Sequence, residues 1–183
     1  MTTAPDARPE SASPPAPGRR RLAALINPLS FRMSLRDRAE RTEKKVVEAG
    51  GQAYRVTDLT TIEHALADAI ERGVDTLVLA GGDGTLQGAV SYLARHLPAE
   101  RLPELLVLSA GRTNYVAADL GTRAHFLATL DRLLDPERTA SRLERRTLVV
   151  RHPSIDLQHG FFLAGAMLDQ VIRNVHRWRT ERP

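Results

Sequence analysis

The ten residues VLAGGDGTLQ, Val78 to Gln87, hold the key to how this chain folds. They begin inside an apolar run, DTLVLAG (75–81), that shows no alternation of polar and apolar positions. Such a run reads as a strand buried on both faces, as in a parallel sheet. Three glycines and an aspartate follow, and helical spacing takes over from Thr85 to His96. Glycines at a strand-to-helix junction let backbone N–H groups approach a ligand, and the dipole of the new helix points to the same place. Together these features form an anion site, most simply for a phosphate. Asp83 is the odd element, because a carboxylate beside phosphates is unfavourable unless a cation lies between them. It therefore points to Mg²⁺. The alternatives are bonds from ribose hydroxyls or nearby backbone, or a tight turn in which Asp83 caps the helix.

The same rhythm continues on both sides of this stretch. RLAALIN (21–27) is a short buried strand closed by Asn-Pro, and QAYRVTD (52–58) is a second strand. Between them Ser34 to Ala49 has helical spacing, with Ala39, Val46 and Val47 on one side and Gly50-Gly51 as the stop. Thr61 to Arg72 is amphipathic, with Ile62, Ala65, Leu66, Ala69 and Ile70 on its apolar face. Thr60 or Thr61 would be its N-cap and Gly73 its end. ELLVLSA (104–110) is another buried strand, followed by helices over Asn114 to Leu120 and Thr122 to Leu134. Alternating strands and helices of this kind specify an α/β fold, a mostly parallel sheet with flanking helices. Ligands then bind outside the carboxyl ends of the strands, where the loops NPLS, GGDGT and SAGRTN all fall.

After Pro136 the pattern changes. SRLERRTLVVRH (141–152) and LQHGFFLAG (157–165) read as two strands joined by the turn PSID, a hairpin opening a second, β-rich unit. Met167 to Arg179 is a basic helix with Met167, Val171, Val175 and Trp178 on one stripe. It would dock on the second unit or touch a membrane surface. The expected organisation is a disordered Pro/Ala-rich tail over 1–20, a nucleotide-binding α/β domain over 21–136, and the start of a β-rich domain with its basic helix over 137–183.

Composition narrows the chemistry. The 183 residues include no cysteine, which excludes disulfides, thiol catalysis and cysteine-held metal. No stretch approaches the roughly 20 apolar residues of a membrane span, and Met1 to Gly18, with five prolines, has no hydrophobic region of the secretory kind. A cytoplasmic protein is expected. All but two of the 26 basic residues are arginine, the exceptions being Lys44 and Lys45. The arginines are spread among acids, which fits genomic base composition better than an anionic partner, whether phosphate, acidic lipid or nucleic acid. None of the six histidines pairs at metal-ligand spacing, and His64, His96 and His125 fall on or at the ends of helices, where surface roles are expected. There is no G-x-x-x-x-G-K-[ST], no G-x-G-x-x-G after the first strand, and no nucleophile elbow.

GGDGT after a central strand, NP-x-S after the first, and G-x-x-N before a short helix ending in LG together resemble the diacylglycerol kinase catalytic-domain family. That group contains bacterial lipid kinases, sphingosine kinases and ceramide kinases, and is related to NAD kinases and phosphofructokinases. The likeness covers about Leu22 to Gly121, with a weaker echo to Val171. It implies that Asn27, Pro28 and Ser30 touch ATP phosphates and that Thr57 lies near the nucleotide. It implies that Gly81, Gly82, Asp83, Gly84 and Thr85 form the main nucleotide loop, and that Gly111, Arg112, Thr113 and Asn114 complete the ATP site. ATP and Mg²⁺ follow as cofactors, with Asp83 the candidate metal contact through the nucleotide. A lipid alcohol such as diacylglycerol follows as acceptor, along with peripheral membrane contact.

Three departures stand out. Phe31 occupies the place of a family glycine, Arg112 that of a threonine, and Gln87-Gly88 that of Asn-Glu. The family's catalytic aspartate sits in an Asp-Gly-Glu-like segment of the second domain, and the 183 residues contain none. The catalytic base is therefore unassigned, and Asp169 lies in the entry segment FFLAGAMLDQVI rather than at that motif. The resemblance implies more of the second domain than is present here, and a face left uncovered would favour a homodimer. The function expected is ATP-dependent transfer of a phosphoryl group to a lipid hydroxyl. The alternatives are a nucleotide-binding remnant or regulatory domain without catalysis, or a relative of the NAD or sugar-phosphate kinases.

Overall fold

The computed structural model describes residues 20–122, 126–135 and 142–161, together with Asn174 and Arg177. Four strands, β1 (Leu22–Ile26), β2 (Gln52–Arg55), β3 (Thr76–Gly81) and β4 (Glu104–Ser109), form a parallel sheet in the order β2-β1-β3-β4. All six residues of β3 are buried, and its two faces feed two different cores. Leu77 and Leu79 join Ala23, Leu25 and Val107 against α2 (Leu59–Glu71), α3 (Asp83–His96) and the short α4 (Tyr115–Asp119). Val78 and Ala80 join Ala24, Ile26 and Leu108 against α1 (Arg38–Glu48) and α5 (Phe126–Leu134). A strand covered by helices on both sides has no polar face to show, which is why DTLVLAG does not alternate.

The strand order positions the site. From β1 the chain steps outward to β2, then returns across β1 to β3 and β4. The loops after β1 and β3 therefore depart to opposite faces of the sheet and leave a crevice between neighbouring strands, a topological switch point. NPLS and GGDGT both lie there.

The structure moves several expected boundaries. α1 starts at Arg38, four residues later than Ser34, because Arg36 takes a left-handed conformation (φ 54°) that a helix cannot continue through. Its buried stripe is Ala39, Thr42 and Val46, whereas Val47 is 55% exposed, one residue round the helix from Val46. α2 is capped by neither Thr60 nor Thr61. Asp58 is the N-cap, accepting from the Thr61 N–H at 2.8 Å, while the Thr61 hydroxyl accepts from the Asp58 N–H at 3.1 Å, a reciprocal capping box. α3 begins at Asp83 rather than Thr85, so two residues read as loop belong to its first turn. α5 is helical from Phe126.

Strand β5 (Leu148–His152) pairs antiparallel with β6 (Ile155–Gly160), so the hairpin is present. It is shorter than expected. Residues 142–147 stay outside the ladder, and Arg142 and Arg145 pair instead with Glu104 (2.6 Å) and Asp119 (3.2 Å) on the α/β unit. Beyond Phe161, which packs on the α2–α3 core, the entry segment lies outside the described residues. So do the tail before Arg20, His125, and all of the C-terminal helix except Asn174 and Arg177, which are helical and exposed. The hairpin is tied to α3 through Ser91, which is 2% exposed. Its hydroxyl donates to the His159 carbonyl (3.2 Å) and accepts from the His159 N–H (2.9 Å).

At the sheet edge Tyr54 donates to Asp68, which also pairs with Arg72 at 2.7 Å. Burial, and then the Asp68 carboxylate, pushes the Tyr54 phenol up to about 12. Its unfolded value is about 10, so its contribution to stability is complete below about pH 10 and is lost as pH rises toward 12. Tyrosinate absorbance in an alkaline titration should show one of the three tyrosines ionising near pH 12, a step that Tyr54→Phe removes. Replacing Ser91 by Ala strands two backbone groups of His159 and should cost about 1–3 kcal/mol. Hydrogen exchange across 148–160 is expected to accelerate in that variant while β3 stays protected.

Candidate functional site

Three loops meet at the carboxyl edge of the sheet, and each touches the next. In the first, Asn27 donates through Nδ2 to Thr85 Oγ1 (3.1 Å) and accepts from the Leu29 N–H (3.0 Å), which folds NPLS back on itself at Pro28. Ser30 accepts the Gly82 N–H at 3.2 Å, joining the first loop to the second. The second loop meets the third at Gly82 and Gly111. A Cβ on Gly111 would lie 2.6 Å from the Gly82 Cα, so only glycine permits this approach. A Cβ on Gly81 would lie 2.5 Å from the Thr85 side chain, for the same result. Gly84 is different: a Cβ there would meet nothing within 4 Å.

The third loop turns on Asn114, which is buried and left-handed (φ 51°). Its amide grips Gly111 twice, accepting the N–H at 2.6 Å and donating to the carbonyl at 2.7 Å. Asparagine suits this position because its short polar side chain offsets the cost of the left-handed backbone locally. Asp83 supplies the last link. As the first residue of α3 it accepts from the N–H groups of Tyr115 (3.2 Å) and Val116 (3.3 Å), capping α4. Of the roles open to Asp83, a backbone cap is realised, although on α4 rather than on its own helix.

Most of the residues singled out in the sequence are thus brought together: Asn27, Pro28, Ser30, Gly81, Gly82, Asp83, Gly84, Thr85, Gly111 and Asn114. Arg112 and Thr113 follow Gly111 and are exposed. Thr57 is not tied to this cluster. It is exposed at the end of β2, and its hydrogen bonds run to Asp58 and Thr61.

Sequence reasoning passed over the residues that hold the first loop down. Arg32 donates its N–H to the Ala110 carbonyl (2.8 Å) and its guanidinium to the Ser109 carbonyl (3.2 Å). Met33, 1% exposed, plugs the α1–α5 core beneath. No periodicity marks either residue, because a loop that anchors itself by single contacts has none. Phe31 and Arg112, the two departures noted above, lie against each other, with the guanidinium carbon 4.9 Å from the ring centroid.

Among the described residues no group of three or more His, Asp or Glu side chains could hold a metal by itself. Asp83 is one carboxylate, and each of its oxygens keeps a free lone pair after capping α4. Mg²⁺ is commonly held by one or two carboxylates together with substrate phosphates, so the donor set fits a nucleotide-borne ion and not a resident one. A separate concavity of about 470 Å³ opens beside the start of α1, lined by Arg36, Asp37, Arg38, Arg41 and Leu127. No helix among the described residues is long and apolar enough to cross a membrane.

The sequence matches the diacylglycerol kinase catalytic domain family over residues 21–144, and the chain belongs to that family. A YegS-like lipid kinase of Stenotrophomonas maltophilia is 43% identical over 60 residues, 32% of this chain and 19% of that protein. A diacylglycerol kinase of Bacillus subtilis is 32% identical over 104 residues, 56% of this chain and 33% of that one. The crystal structure of a diacylglycerol kinase from Bacillus anthracis matches with a TM-score of 0.50 at 17% identity. That match covers 63% of this chain and 39% of the other, and is a likeness of fold. The chain thus spans no more than a third of the length of either sequence relative.

Asn114→Ala removes both bonds to Gly111 and puts alanine in a left-handed conformation. The expected loss is on the order of 3 kcal/mol in urea unfolding. Asn114→Gly, which adopts that conformation freely, should be milder by about 1 kcal/mol.

Proposed function

We propose that this chain provides the ATP-binding part of a lipid kinase, which transfers the γ-phosphoryl group to a lipid hydroxyl such as that of diacylglycerol. The observation that carries this reading is the convergence of three loops on Gly82 at the switch point of the sheet. The first turn of α3, a 14-residue helix, opens onto the same place. Gly84 lends further support. Glycine in a helix costs roughly 0.5–1 kcal/mol relative to alanine, yet no neighbour in the fold requires one at this position. A ligand approaching the backbone would.

In this reading the glycine loop and the α3 N-terminus orient the phosphates. Ser30 and Asn27 fix the loop's shape, and Asn114 holds the third loop closed. Phosphoryl transfer depends chiefly on such positioning and on charge neutralisation. A nucleotide-bound Mg²⁺ would supply the neutralising charge, with Asp83 as its protein contact. The proposed division is a nucleotide-binding unit over 21–136 followed by a β-rich unit that opens with the β5–β6 hairpin. Cytoplasmic location with peripheral membrane contact suits a lipid acceptor. Leu29 and Leu35, 70% and 40% exposed on the loop after β1, with the exposed Arg36 next to Leu35, support that contact.

A second reading, a nucleotide-binding domain without turnover, is favoured by one detail: both oxygens of Asp83 already hold backbone N–H groups. The general base is unassigned, and such a group is worth about 10²–10⁴ in rate.

Calorimetry with MgATP on the full chain tests the shared premise. The wild type should bind. Asp83→Asn keeps an oxygen for α4 but gives up the charge, and should lose at least about tenfold in affinity. A wild type that ignores MgATP, or an Asp83→Asn variant that binds as well as the parent, overturns the assignment. Transfer of labelled γ-phosphate to diacylglycerol in mixed micelles then separates the two readings, since binding without labelled lipid selects the second.

A further inference from the structure

Arg112 and Phe31 come from different loops and are both exposed, yet the guanidinium carbon of Arg112 lies over the Phe31 ring, 4.9 Å from its centroid. Among the described residues no carboxylate pairs with Arg112 and no hydrogen bond occupies its guanidinium. An exposed arginine ordinarily samples many rotamers. Stacking on a ring holds one face of the guanidinium plane and leaves the N–H donors along its edge free. The pair's position gives those donors a target. Phe31 follows Ser30, whose hydroxyl holds the Gly82 N–H, and Arg112 follows Gly111, which lies against Gly82. The contacts Ser30–Gly82, Gly82–Gly111 and Arg112–Phe31, with the chain links Ser30–Phe31 and Gly111–Arg112, therefore close a ring of which Gly82 is a member.

We propose that Arg112, held in place by the Phe31 ring, is the side chain by which this site grips the phosphate tail of a nucleoside di- or triphosphate and discriminates against the monophosphate. The proposal rests on the ATP reading above and specifies which group recognises the tail. The physical case is charge. Asp83 places a carboxylate within the loop cluster, and a nucleotide tail that stays net negative after Mg²⁺ has neutralised part of it is favoured by a further cation nearby. A guanidinium offers parallel N–H bonds to phosphate oxygens, and its π-stacking removes much of the entropy that ordering it would otherwise cost. The stack uses the face of the group and phosphate uses the edge, so the two contacts do not compete.

The test is a comparison of MgATP and AMP affinities on the full chain, with thermal unfolding measured in parallel to confirm folded protein. Arg112→Met should weaken MgATP binding roughly ten- to a hundredfold while AMP affinity stays within about twofold. Arg112→Lys, which keeps the charge without the planar fork, should recover part of the loss. Phe31→Leu should shift MgATP affinity in the same direction by a smaller factor. The Phe31→Leu/Arg112→Met double variant should bind no more weakly than Arg112→Met, because the ring acts only through the guanidinium. An equal loss for AMP and MgATP, no loss, or tighter MgATP binding in Arg112→Met overturns the proposal, the last making the pair a block instead of a clamp. A wild type that binds no nucleotide overturns the ATP reading itself, and that result is visible before any variant is measured.

Discussion

The backbone of Gly82 is held between two loops that arrive from either side of it. On one side the Ser30 hydroxyl accepts its N–H, and on the other the Gly111 Cα packs so closely that no side chain fits between them. Everything proposed about the site depends on this approach. Asn27 on Thr85, Arg32 on the Ser109 carbonyl and Asp83 on the α4 N–H groups reinforce it between the same three loops. With it, the start of α3 and the tight turn at Asn114 face one small region. The constraint is steric as much as it is polar, which is why glycines at 81 and 111 matter for their missing Cβ. Gly84 is under no such constraint, with nothing within 4 Å of where its Cβ would lie.

Asp83 illustrates how one side chain serves two parts of the structure. It begins α3 and caps α4, so the third loop is referenced to the glycine loop through the carboxylate as well as through Gly82 and Gly111. A carboxylate bound by backbone N–H groups is oriented without being fully satisfied, the state in which a nucleotide-borne cation could use its remaining lone pairs. The hairpin has a comparable tie. Ser91 lies on the side of α3 that faces β6, so the helix opening at the glycine loop also carries the first strands beyond the α/β unit.

Membership of the diacylglycerol kinase catalytic domain family and the parallel α/β sheet were both legible in the sequence. Unbroken apolar runs such as 75–81 signal strands covered on both faces, and the three loop motifs occur in order at the ends of such strands. Boundaries were less legible wherever a single backbone angle or side-chain bond decided them. Arg36 ends the approach to α1 by turning left-handed, which no propensity foretells for arginine. Asp58 won the cap of α2 from Thr60 and Thr61 because Thr61, three residues on, completes a reciprocal bond that only geometry reveals. The hairpin came out short because Arg142 and Arg145 found acidic partners across the α/β unit instead of a strand neighbour.

The sequence by itself determined the layer architecture, the loops that would meet, and the presence of a glycine-rich strand-to-helix junction, because these follow from local periodicity and from glycine placed at strand ends. Only the tertiary structure decided what the loops do to one another. It seated Arg112 on Phe31, set Asp83 on α4, left Thr57 outside the cluster, and latched the first loop with Arg32 and Met33. Thr57 apart, whose bonds are local, each of these is a contact between residues far apart in the chain. Its partner is selected by sheet order and helix packing, and a linear pattern carries no record of that choice.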